Sequence, residues 1–419
     1  MPVAGKSRSP RSLFGLDALN FFLADVRDGL GPYLAIYLTS RQHWTPDRVG
    51  VAMAAMLAGT VAAQTPAGAW LDRTRRKRLA VAVAAGVVAL GCVAMIALPR
   101  FAVIVAAQAV IGAAAAIFGP AIAGMSLGIV GHSLLSRRTG RNEAFNHAGN
   151  VTAAALAGAA GYLLGYWAIF YLVAIMAAAS SVSVLLIREA DIDHDRARGA
   201  DGNGETSRVE GVSALLKDRR LLAFALAVVL FHFANAAMLP LVGQKMTRGM
   251  TQGAAALMSA CIITAQVVMV PVALLASRLA ESWGRKPVFL IGFAVLPVRG
   301  IMYTLTMNPY ALVGVQFLDG IGAGIFGVVS VLAIADMTRG TGRFNLAQGA
   351  IATATGIGAA LSNVLTGVVV QAAGFNAGFL TLSGIAALAL IFYALAVPET
   401  VGTTPERQEG PIITPTALG

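Results

Sequence analysis

Twelve long apolar runs dominate this sequence and constrain its fold more than any other feature. A helix that crosses a bilayer needs about 20 mostly apolar residues. Runs of this kind occupy residues 14–38, 46–71, 79–99, 101–129, 145–166, 168–187, 221–245, 252–277, 287–307, 309–336, 345–371 and 377–397. We number them spans 1 to 12, and they predict an all-α membrane protein with twelve transmembrane helices.

The composition excludes the other fold classes. Of the 419 residues, 57% are hydrophobic and only 12% are Asp, Glu, Lys or Arg. Soluble proteins carry about 25% charged residues, and disordered chains combine low hydrophobicity with high charge. A membrane β-barrel would show short alternating strands instead of long apolar runs. The two cysteines, Cys92 and Cys261, both lie inside apolar runs, so we expect neither a disulfide framework nor a cysteine metal site.

A polar stretch divides the runs six and six. We predict an N-terminal six-helix bundle at 1–187, a linker at 188–219, a C-terminal six-helix bundle at 220–398 and a tail at 399–419. Of the 31 Lys and Arg residues, two lie inside spans and five in the outer loops if the N-terminus is inside. This asymmetry predicts that the linker and both termini are cytoplasmic. It also explains the net charge of +11 without a nucleic-acid partner.

The two halves repeat one another. Residues 68–78, which follow span 2, read GAWLDRTRRKR, and residues 277–287, which follow span 8, read SRLAESWGRKP. In span 4, Gln108, Gly112 and residues 117–119 (IFG) recur in span 10 as Gln316, Gly320 and residues 325–327. The segment TGR at 139–141 precedes FN at 145–146, and TGR at 341–343 precedes FN at 344–345. Because each repeat keeps its side of the membrane, the halves form parallel repeats related by an axis along the membrane normal.

The loop at 68–78 resembles the signature G-x-x-x-D-R-x-G-R-[RK]-[RK] of the major facilitator superfamily, with Arg75 in place of the second glycine. The resemblance covers the whole chain in span count, linker and repeats. It implies two pseudo-symmetric six-helix bundles that enclose one central site and rock to alternate access. It also implies a gating role for loop residues, which we assign to Asp72, Arg73, Arg76, Glu281 and Arg285.

Physical chemistry gives the loop carboxylate two candidate partners. A carboxylate at Asp72 can bind the N-terminus of a neighbouring helix or an Arg of another loop. The alternative for the basic cluster, residues 73–78, is a purely topogenic role.

Span 1 carries unusual charges for a membrane helix. A charge near the bilayer centre costs about 2.5–3.5 kcal/mol on insertion scales, so it normally faces water or a partner. At 100° per residue, Asp17, Asn20, Asp25 and Asp28 share one face, and Arg27 borders it. Proton antiporters of the family often carry an acid here. We therefore predict that Asp28 and Asp25 couple transport to protons; the alternative is a permanently paired structural Asp–Arg–Asp cluster.

Other polar residues at helix depth are candidates to line a substrate cavity. Each has the alternative of bridging to a neighbouring helix. The predicted cavity residues are Asn20, Arg27, Gln108, Asn146, Asn150, His232, Asn235, Arg299, Gln316 and Asp319. Arg299 and Asp319 are each too costly to leave unpaired in the membrane, so either they pair across adjacent helices or one of them faces substrate. Two His–Asn pairs, 147/150 and 232/235, lack a third ligand, so no metal site is predicted.

The motifs favour a transporter over an enzyme. No phosphate-binding loop, nucleophile elbow or HExxH motif is present. We predict a secondary transporter similar to bacterial drug/proton antiporters, exporting a small organic compound, driven by the proton gradient without a cofactor, monomeric, and in the bacterial inner membrane.

Two alternatives remain open. One is a proton-coupled importer of a nutrient, organic anion or metal chelate. This alternative arises because span 4 has Gln108 where exporters carry Arg, and span 5 keeps glycines but lacks the exporter proline. The other is a different class, a lipid scramblase or non-transporting receptor.

Overall fold

The computed structural model describes residues 9–28, 34, 37, 38, 42–44, 46–165, 167–200, 217–249 and 254–401. Within this part of the chain all regular structure is helical. The helices are α1 Pro10–Asp28, α2 Pro46–Arg73, α3 Lys77–Ala97, α4 Phe101–Ala115, α5 Phe118–Val130, α6 His132–Leu163, α7 Trp167–Leu186, α8 His194–Ala197, α9 Arg219–Asn235, α10 Met238–Gly249, α11 Ala254–Ser282, α12 Arg285–Met302, α13 Pro309–Met337 and α14 Phe344–Ala396.

These helices give the twelve predicted spans. Seven of the described helical segments are long and apolar enough to cross a membrane, and two of those segments join α4 with α5 and α9 with α10. The 53 residues of α14 would extend about 80 Å, far more than the roughly 30 Å of a bilayer core. The backbone of α14 is non-helical at Gly374, where φ is 83°. A positive φ suits glycine, so α14 supplies spans 11 and 12 on either side of this residue. Helices α1, α2, α6 and α12 supply the remaining four.

Two bundles form because each helix buries one face against its own half. One continuous apolar cluster joins α1 to α7. A second joins α9, α11, α12, α13 and α14 and also includes Ala123, Leu127 and Leu135 of the first half. The second cluster is built on stacked rings, with Phe293 and Tyr393 at 4.7 Å between centroids and Phe231 and Phe326 at 4.8 Å. The all-α, two-bundle fold predicted from the sequence is therefore confirmed. The exact boundaries at 187, 219 and 398 stay a prediction.

The two bundles meet along two seams. In the first seam, α2 packs against the first half of α14; in the second, α6 packs against α11. The described linker residues 188–200 lie at one end of both seams, which we call the linker end. There the backbone N–H of Phe344, at the start of α14, donates to the carbonyl of Arg198 at 3.0 Å, and the N–H of Asp193 donates to Gly128 of α5 at 3.2 Å. The linker thus bridges the two bundles.

Candidate substrate cavity and gating contacts

A cavity of about 380 Å³ lies between the bundles. Its walls come from α1, α2, α5 and α6 on one side and from α9, α13 and α14 on the other. The polar and aromatic lining residues are Asn20, Gln64, Thr139, Asn142, Glu143, Asn146, His147, Phe231, His232, Asn235, Phe326, Ser330, Gln348 and Thr355. A pocket of this size, with dispersed polar groups on an apolar background, suits a small organic molecule.

Four of the predicted cavity residues line this cavity: Asn20, Asn146, His232 and Asn235. The ring of His232 packs edge-on against Phe326, with 4.7 Å between centroids, and its Nδ1 lies 3.1 Å from the carbonyl of Val228. Asn20 donates through Nδ2 to Leu16 and to Asn142. Polar positions at helix depth therefore identified part of the wall.

Arg299 and Asp319 pair with one another and do not line the cavity. The Arg299 guanidinium donates to Asp319 and, through Nη2, to Asn235 Oδ1 at 2.8 Å. Arg299 is only 1% exposed. This arrangement neutralises both charges inside the second bundle and keeps the Arg299 guanidinium out of the cavity wall.

Gln108, Asn150 and Gln316 also lie outside the lining. Gln108 and Gln316 are almost fully buried within α4 and α13, and Asn150 is half-buried on α6. Gln108 and Gln316 occupy equivalent positions in the two halves because each packs inside its own bundle. Asp25, Arg27 and Asp28 end the first helix, but their side chains lie outside the described residues. Their predicted roles stay predictions.

The sequence-based cavity list lacks several polar residues of the described wall, and Glu143 is the only carboxylate among them; the others include Gln64, Thr139, Asn142, Ser330, Gln348 and Thr355. The apolar run of span 5 begins at 145, so Glu143 was placed in a loop. The helix α6 starts at His132 instead, which carries Glu143 three turns inside it. One turn further on, His147 Nδ1 lies 2.7 Å from Gln266 Oε1, and its Nε2 lies 3.9 Å from Glu143 Oε2. The repeated TGR segment just before Glu143 marks this region as part of the repeat, but it does not show that the helix already begins at His132.

A buried ion cluster lies below the cavity, towards the linker end. Asp17 of α1 is 5% exposed and binds two arginines of α6. Arg141 donates to both Asp17 oxygens, its Nη2 at 2.7 Å, and Arg138 donates to Oδ1. Arg138 Nε also donates to Asn142 Oδ1 at 2.7 Å, and Asn142 donates to Ser126 at 2.8 Å. The carboxylate of Asp17 is therefore fully paired, and it ties span 1 to span 5.

The first seam is latched by Asp72, the predicted gating acid. Asp72 is 4% exposed and lies at the N-terminus of α14. It accepts hydrogen bonds from the backbone N–H of Asn345 at 3.0 Å, from Asn345 Nδ2 at 2.7 Å and from the backbone N–H of Leu346 at 2.8 Å. Free backbone N–H groups and the helix dipole make this a favourable site for a carboxylate. The helix N-terminus, and not an Arg of another loop, is thus the partner. Arg73 and Arg76 of the same loop are exposed.

The second seam has weaker polar contacts. Ser136 Oγ donates to the carbonyl of Ser277, and Arg137 Nε lies 3.5 Å from Glu281 Oε2. The Arg137 side chain is 72% exposed. Arg285 faces its own bundle, where its Nε donates to Asp336 Oδ2 at 3.0 Å.

In each half, a glutamate that follows the last span binds the gating loop of the same half. Glu189 binds Arg78 Nη1 at 3.1 Å and His194 Nε2 at 3.0 Å. Glu399 accepts from the backbone N–H groups of Arg285 and Lys286, both at 3.0 Å, at the start of α12. Burial raises the pKa of Glu399, but its four backbone N–H partners lower it, and the net pKa lies below the ordinary value. This pair of anchors, 210 residues apart, is a repeat that the sequence comparison overlooked.

The described residues contain no group of three or more His, Cys, Asp or Glu side chains arranged to hold a metal ion.

Two membrane bundles around an interfacial cavity, joined at one end by paired seams, define a membrane transporter.

Comparison with known proteins identifies the family. The model of the Major Facilitator Superfamily matches residues 16–278 and 265–417. The chain therefore belongs to the major facilitator superfamily, as the loop motif and repeats indicated. Two proteins of Mycobacterium tuberculosis, from strains CDC 1551 / Oshkosh and ATCC 25618 / H37Rv, are each 49% identical to it over 394 residues, which is 94% of either chain. Both are named uncharacterized MFS-type transporters.

Solved structures share the fold at low sequence identity. The fucose:proton symporter FucP of E. coli superposes with a TM-score of 0.71 at 15% identity, covering 92% of this chain and all of that one. The human organic anion transporter MFSD10 gives a TM-score of 0.70 at 14% identity with the same coverage. The chain is thus a multi-pass membrane transporter, not an enzyme, of a family whose members typically need no cofactor.

Proposed function

We propose that this chain is a proton-coupled exporter of a small organic compound that works by alternating access in the bacterial inner membrane, as a monomer with both termini cytoplasmic. The observation that carries the proposal is the interfacial cavity above two closed seams. A site that belongs to neither bundle alone changes its access when the bundles rock. With cytoplasmic termini, the linker end is the cytoplasmic end, and the closed seams seal the cavity from the cytoplasm.

In this mechanism the loop residues act as the gate. Asp72 holds the N-terminus of α14 while the cytoplasmic side is closed, and rocking separates the carboxylate from the two backbone N–H groups. Breaking charge-assisted hydrogen bonds costs about 1.5–3 kcal/mol each, and other interactions must replace them in the opposite state. We assign a supporting role in the same gate to the other loop residues at the linker end, Arg73, Arg76, Glu281 and Arg285.

Asp28 and Asp25 are proposed to carry the proton. Substrate binds while the span 1 acid is ionised, and a proton arriving from outside neutralises the acid and releases the substrate. The carboxylates need neither a metal nor a cofactor for this exchange, since the proton gradient supplies the driving force. Both acids lie on the polar stripe that Asn20 continues into the cavity wall.

The second candidate is a proton-coupled importer. The fold neighbour FucP is named a fucose:proton symporter, and NupG, with a TM-score of 0.63 at 15% identity, is named a nucleoside transporter. The departures from the exporter pattern at Gln108 and in span 5 agree with import. An arginine in the cavity wall would favour an anionic substrate. Arg299 is instead paired with Asp319 and does not line the cavity, so it gives no support to an anionic substrate.

A resistance assay tests the direction and the proton carrier together. Wild type and Asp28→Asn are expressed at matched levels in a bacterium that lacks its main exporters, and growth is measured against toxic organic compounds, dyes and metal salts. Resistance from wild type alone supports export with the span 1 acid as carrier. Sensitisation by wild type contradicts export and supports import. Equal resistance from both variants, with the same pH dependence, contradicts the role of Asp28.

A further inference from the structure

The charges around the central cavity are unevenly distributed. Among the described residues that line it, Glu143 is the only one with a carboxylate, and none is a lysine or arginine. The nearest arginines are occupied elsewhere: Arg138 and Arg141 bind Asp17, and Arg299 binds Asp319. The described wall therefore presents one negative group and no fixed positive group to a substrate.

Glu143 and His147 form a pair whose hydrogen bonding is incomplete. With the Gln266 amide turned so that Oε1 faces the ring, Oε1 accepts at 2.7 Å and the proton of the neutral imidazole lies on His147 Nδ1. In the neutral imidazole, Nε2 then carries a lone pair and points towards Glu143 Oε2, 3.9 Å away. That Nε2 atom is buried without any hydrogen-bond partner. Two acceptors facing each other in a buried site leave room for one proton or one cation.

The opposite bundle leaves space for this pair. A Cβ atom added at Gly327 of α13 would lie 3.2 Å from Glu143 Oε2. The absence of a side chain at this position lets the carboxylate of the first bundle reach the wall of the second. The acid therefore lies where both bundles meet, which is the position a substrate site needs when access alternates.

The second bundle supplies an aromatic wall. Phe231 and Phe326 stack with a 26° angle between their rings, and both line the cavity with Glu143. The faces of aromatic rings attract cations and bury apolar surface, while a carboxylate binds a cationic group directly. An anion would meet a carboxylate and several ring faces, both of which repel it.

We propose that Glu143 and His147 form the cation-binding end of the substrate site, and that the cavity takes an organic monocation with an apolar body in exchange for one proton. In this exchange, the proton held by the pair passes to water as the cationic group takes its place beside Glu143. This inference rests on the proposed function of the chain as a transporter of small organic compounds, and it assigns the exchanged proton to Glu143 and His147 instead of to Asp28 and Asp25.

Among the described residues packed against the pair, none other is placed to hold this proton. On α9, His232 lies in the same wall, but its Nδ1 faces the carbonyl of Val228. On α1, Asp17 is held by Arg138 and Arg141. The facing residues of α11 and α13, Gln266 and Gly327, do not titrate.

The test uses two ions of the same shape and opposite charge, tetraphenylphosphonium and tetraphenylborate. Binding of each to the purified full-length protein is measured by calorimetry, and proton release is followed with a pH indicator in weak buffer. We expect wild type to bind the phosphonium and, at a pH where the pair is protonated, to release about one proton per cation bound. Within that pH range the affinity should fall about tenfold for each unit by which the pH is lowered. We expect the borate to bind at least tenfold more weakly than the phosphonium.

Three variants complete the test. Glu143→Gln keeps the shape of the side chain and is expected to lose at least tenfold in phosphonium affinity together with the proton release. His147→Gln keeps the carboxylate and is expected to retain the affinity within about threefold but to change the pH at which the proton is released. Asp195→Asn removes an exposed carboxylate from the linker and is expected to behave as wild type.

Equal or tighter binding of tetraphenylborate to wild type would overturn the proposal, as would absence of phosphonium binding. Wild-type affinity and proton release in a correctly folded Glu143→Gln would also overturn it. These outcomes differ from failure of the proposed function, which is scored by resistance. If Asp28→Asn still confers resistance while Glu143→Gln loses proton release, the span 1 assignment falls and the inference about Glu143 stands.

Discussion

The two seams between the bundles occupy equivalent places in the repeat but are held by different interactions. In the first seam, a carboxylate that is 4% exposed caps a helix N-terminus through three hydrogen bonds. In the second seam, the equivalent acid, Glu281, lies 3.5 Å from an arginine that is 72% exposed. Duplication preserved the position of the acid but not its partner.

The difference follows from where each helix begins. Helix α14 starts at Phe344, directly beside Asp72, so its free backbone N–H groups face the acid. Helix α6 starts at His132, about one turn before Ser136 and Arg137, which meet α11, and the contact of Glu281 is with the side chain of Arg137 and not with the backbone N–H groups of that helix start. Glu281 therefore finds only an exposed side chain. A buried acid with three hydrogen bonds at a helix N-terminus contributes more than an exposed ion pair, so we expect Asp72 to stabilise closure of the linker end more than Glu281 does.

The largest expected effect comes from Asp72→Asn. The amide oxygen can keep the two hydrogen bonds from Asn345, but the N–H₂ group that replaces Oδ2 faces the backbone N–H of Leu346, which is also a donor, and the negative charge at the helix N-terminus is lost. We expect closure of the linker end to lose about 3 kcal/mol, roughly a hundredfold in population. The measurement is the rate at which an impermeant maleimide, added from the linker side, labels a cysteine introduced at Ser330 in the cavity wall, with Cys92 and Cys261 replaced by alanine. An unchanged rate would show that Asp72 is not the latch.

A steric change should open the same seam less strongly. A Cβ atom at Gly349 of α14 would overlap the carbonyl oxygen of Gln64 on α2, whereas Gly384 in the same helix has no atom within 4 Å of its added Cβ. Overpacking costs about 1–3 kcal/mol, so we expect Gly349→Ala to raise labelling at position 330 about tenfold. Gly384→Ala is the matched control and should label at the wild-type rate. Equal rates for both variants would mean that the seam tolerates separation.

The sequence predicted the architecture because the length of an apolar span is a direct consequence of the thickness of the bilayer. The repeated loops also led correctly to the superfamily. Asp72 was identifiable as a gating candidate, since an acid beside a basic cluster at a helix end needs a partner. The identity of that partner depends on where α14 begins, and sequence alone gives helix ends only within several residues.

The cavity was predicted only in part for a related reason. Polarity singles out residues such as Asn146 and Asn235, but Gln108 and Gln316 are equally polar and lie inside their own bundles. Hydropathy placed Glu143 outside span 5, because charged residues lower the apolar average at the start of α6. Which face of a helix meets the other bundle is decided by packing between halves, and a single sequence does not display that packing.

The contribution of Glu399 to the thermal stability of the second bundle should depend on pH. Glu399 holds the start of α12, and its net pKa lies below the ordinary value. A carboxyl with a lowered folded-state pKa stabilises the fold above its unfolded pKa, and this contribution is lost as the pH falls through the folded value. We expect Glu399→Gln to lower the Tm by a few degrees at pH 7 and to match wild type progressively as the pH falls below about 4. Thermal melts from pH 7 to pH 3.5 measure this difference, and a constant difference across that range would contradict the assignment.

The smallest effect is expected from Glu281→Gln, the counterpart of the Asp72 change. Exposed ion pairs contribute about 0–1 kcal/mol, so closure should weaken less than threefold by the same labelling assay. High salt should abolish this difference, because an exposed pair is screened, and should leave most of the Asp72→Asn effect in place, because that acid is buried. If Glu281→Gln opened the linker end as much as Asp72→Asn, the two seams would be energetically equivalent in spite of their different geometry. Closure of the linker end would then depend on the packing of the whole bundle, and not on the hydrogen bonds from Asp72 to the N-terminus of α14.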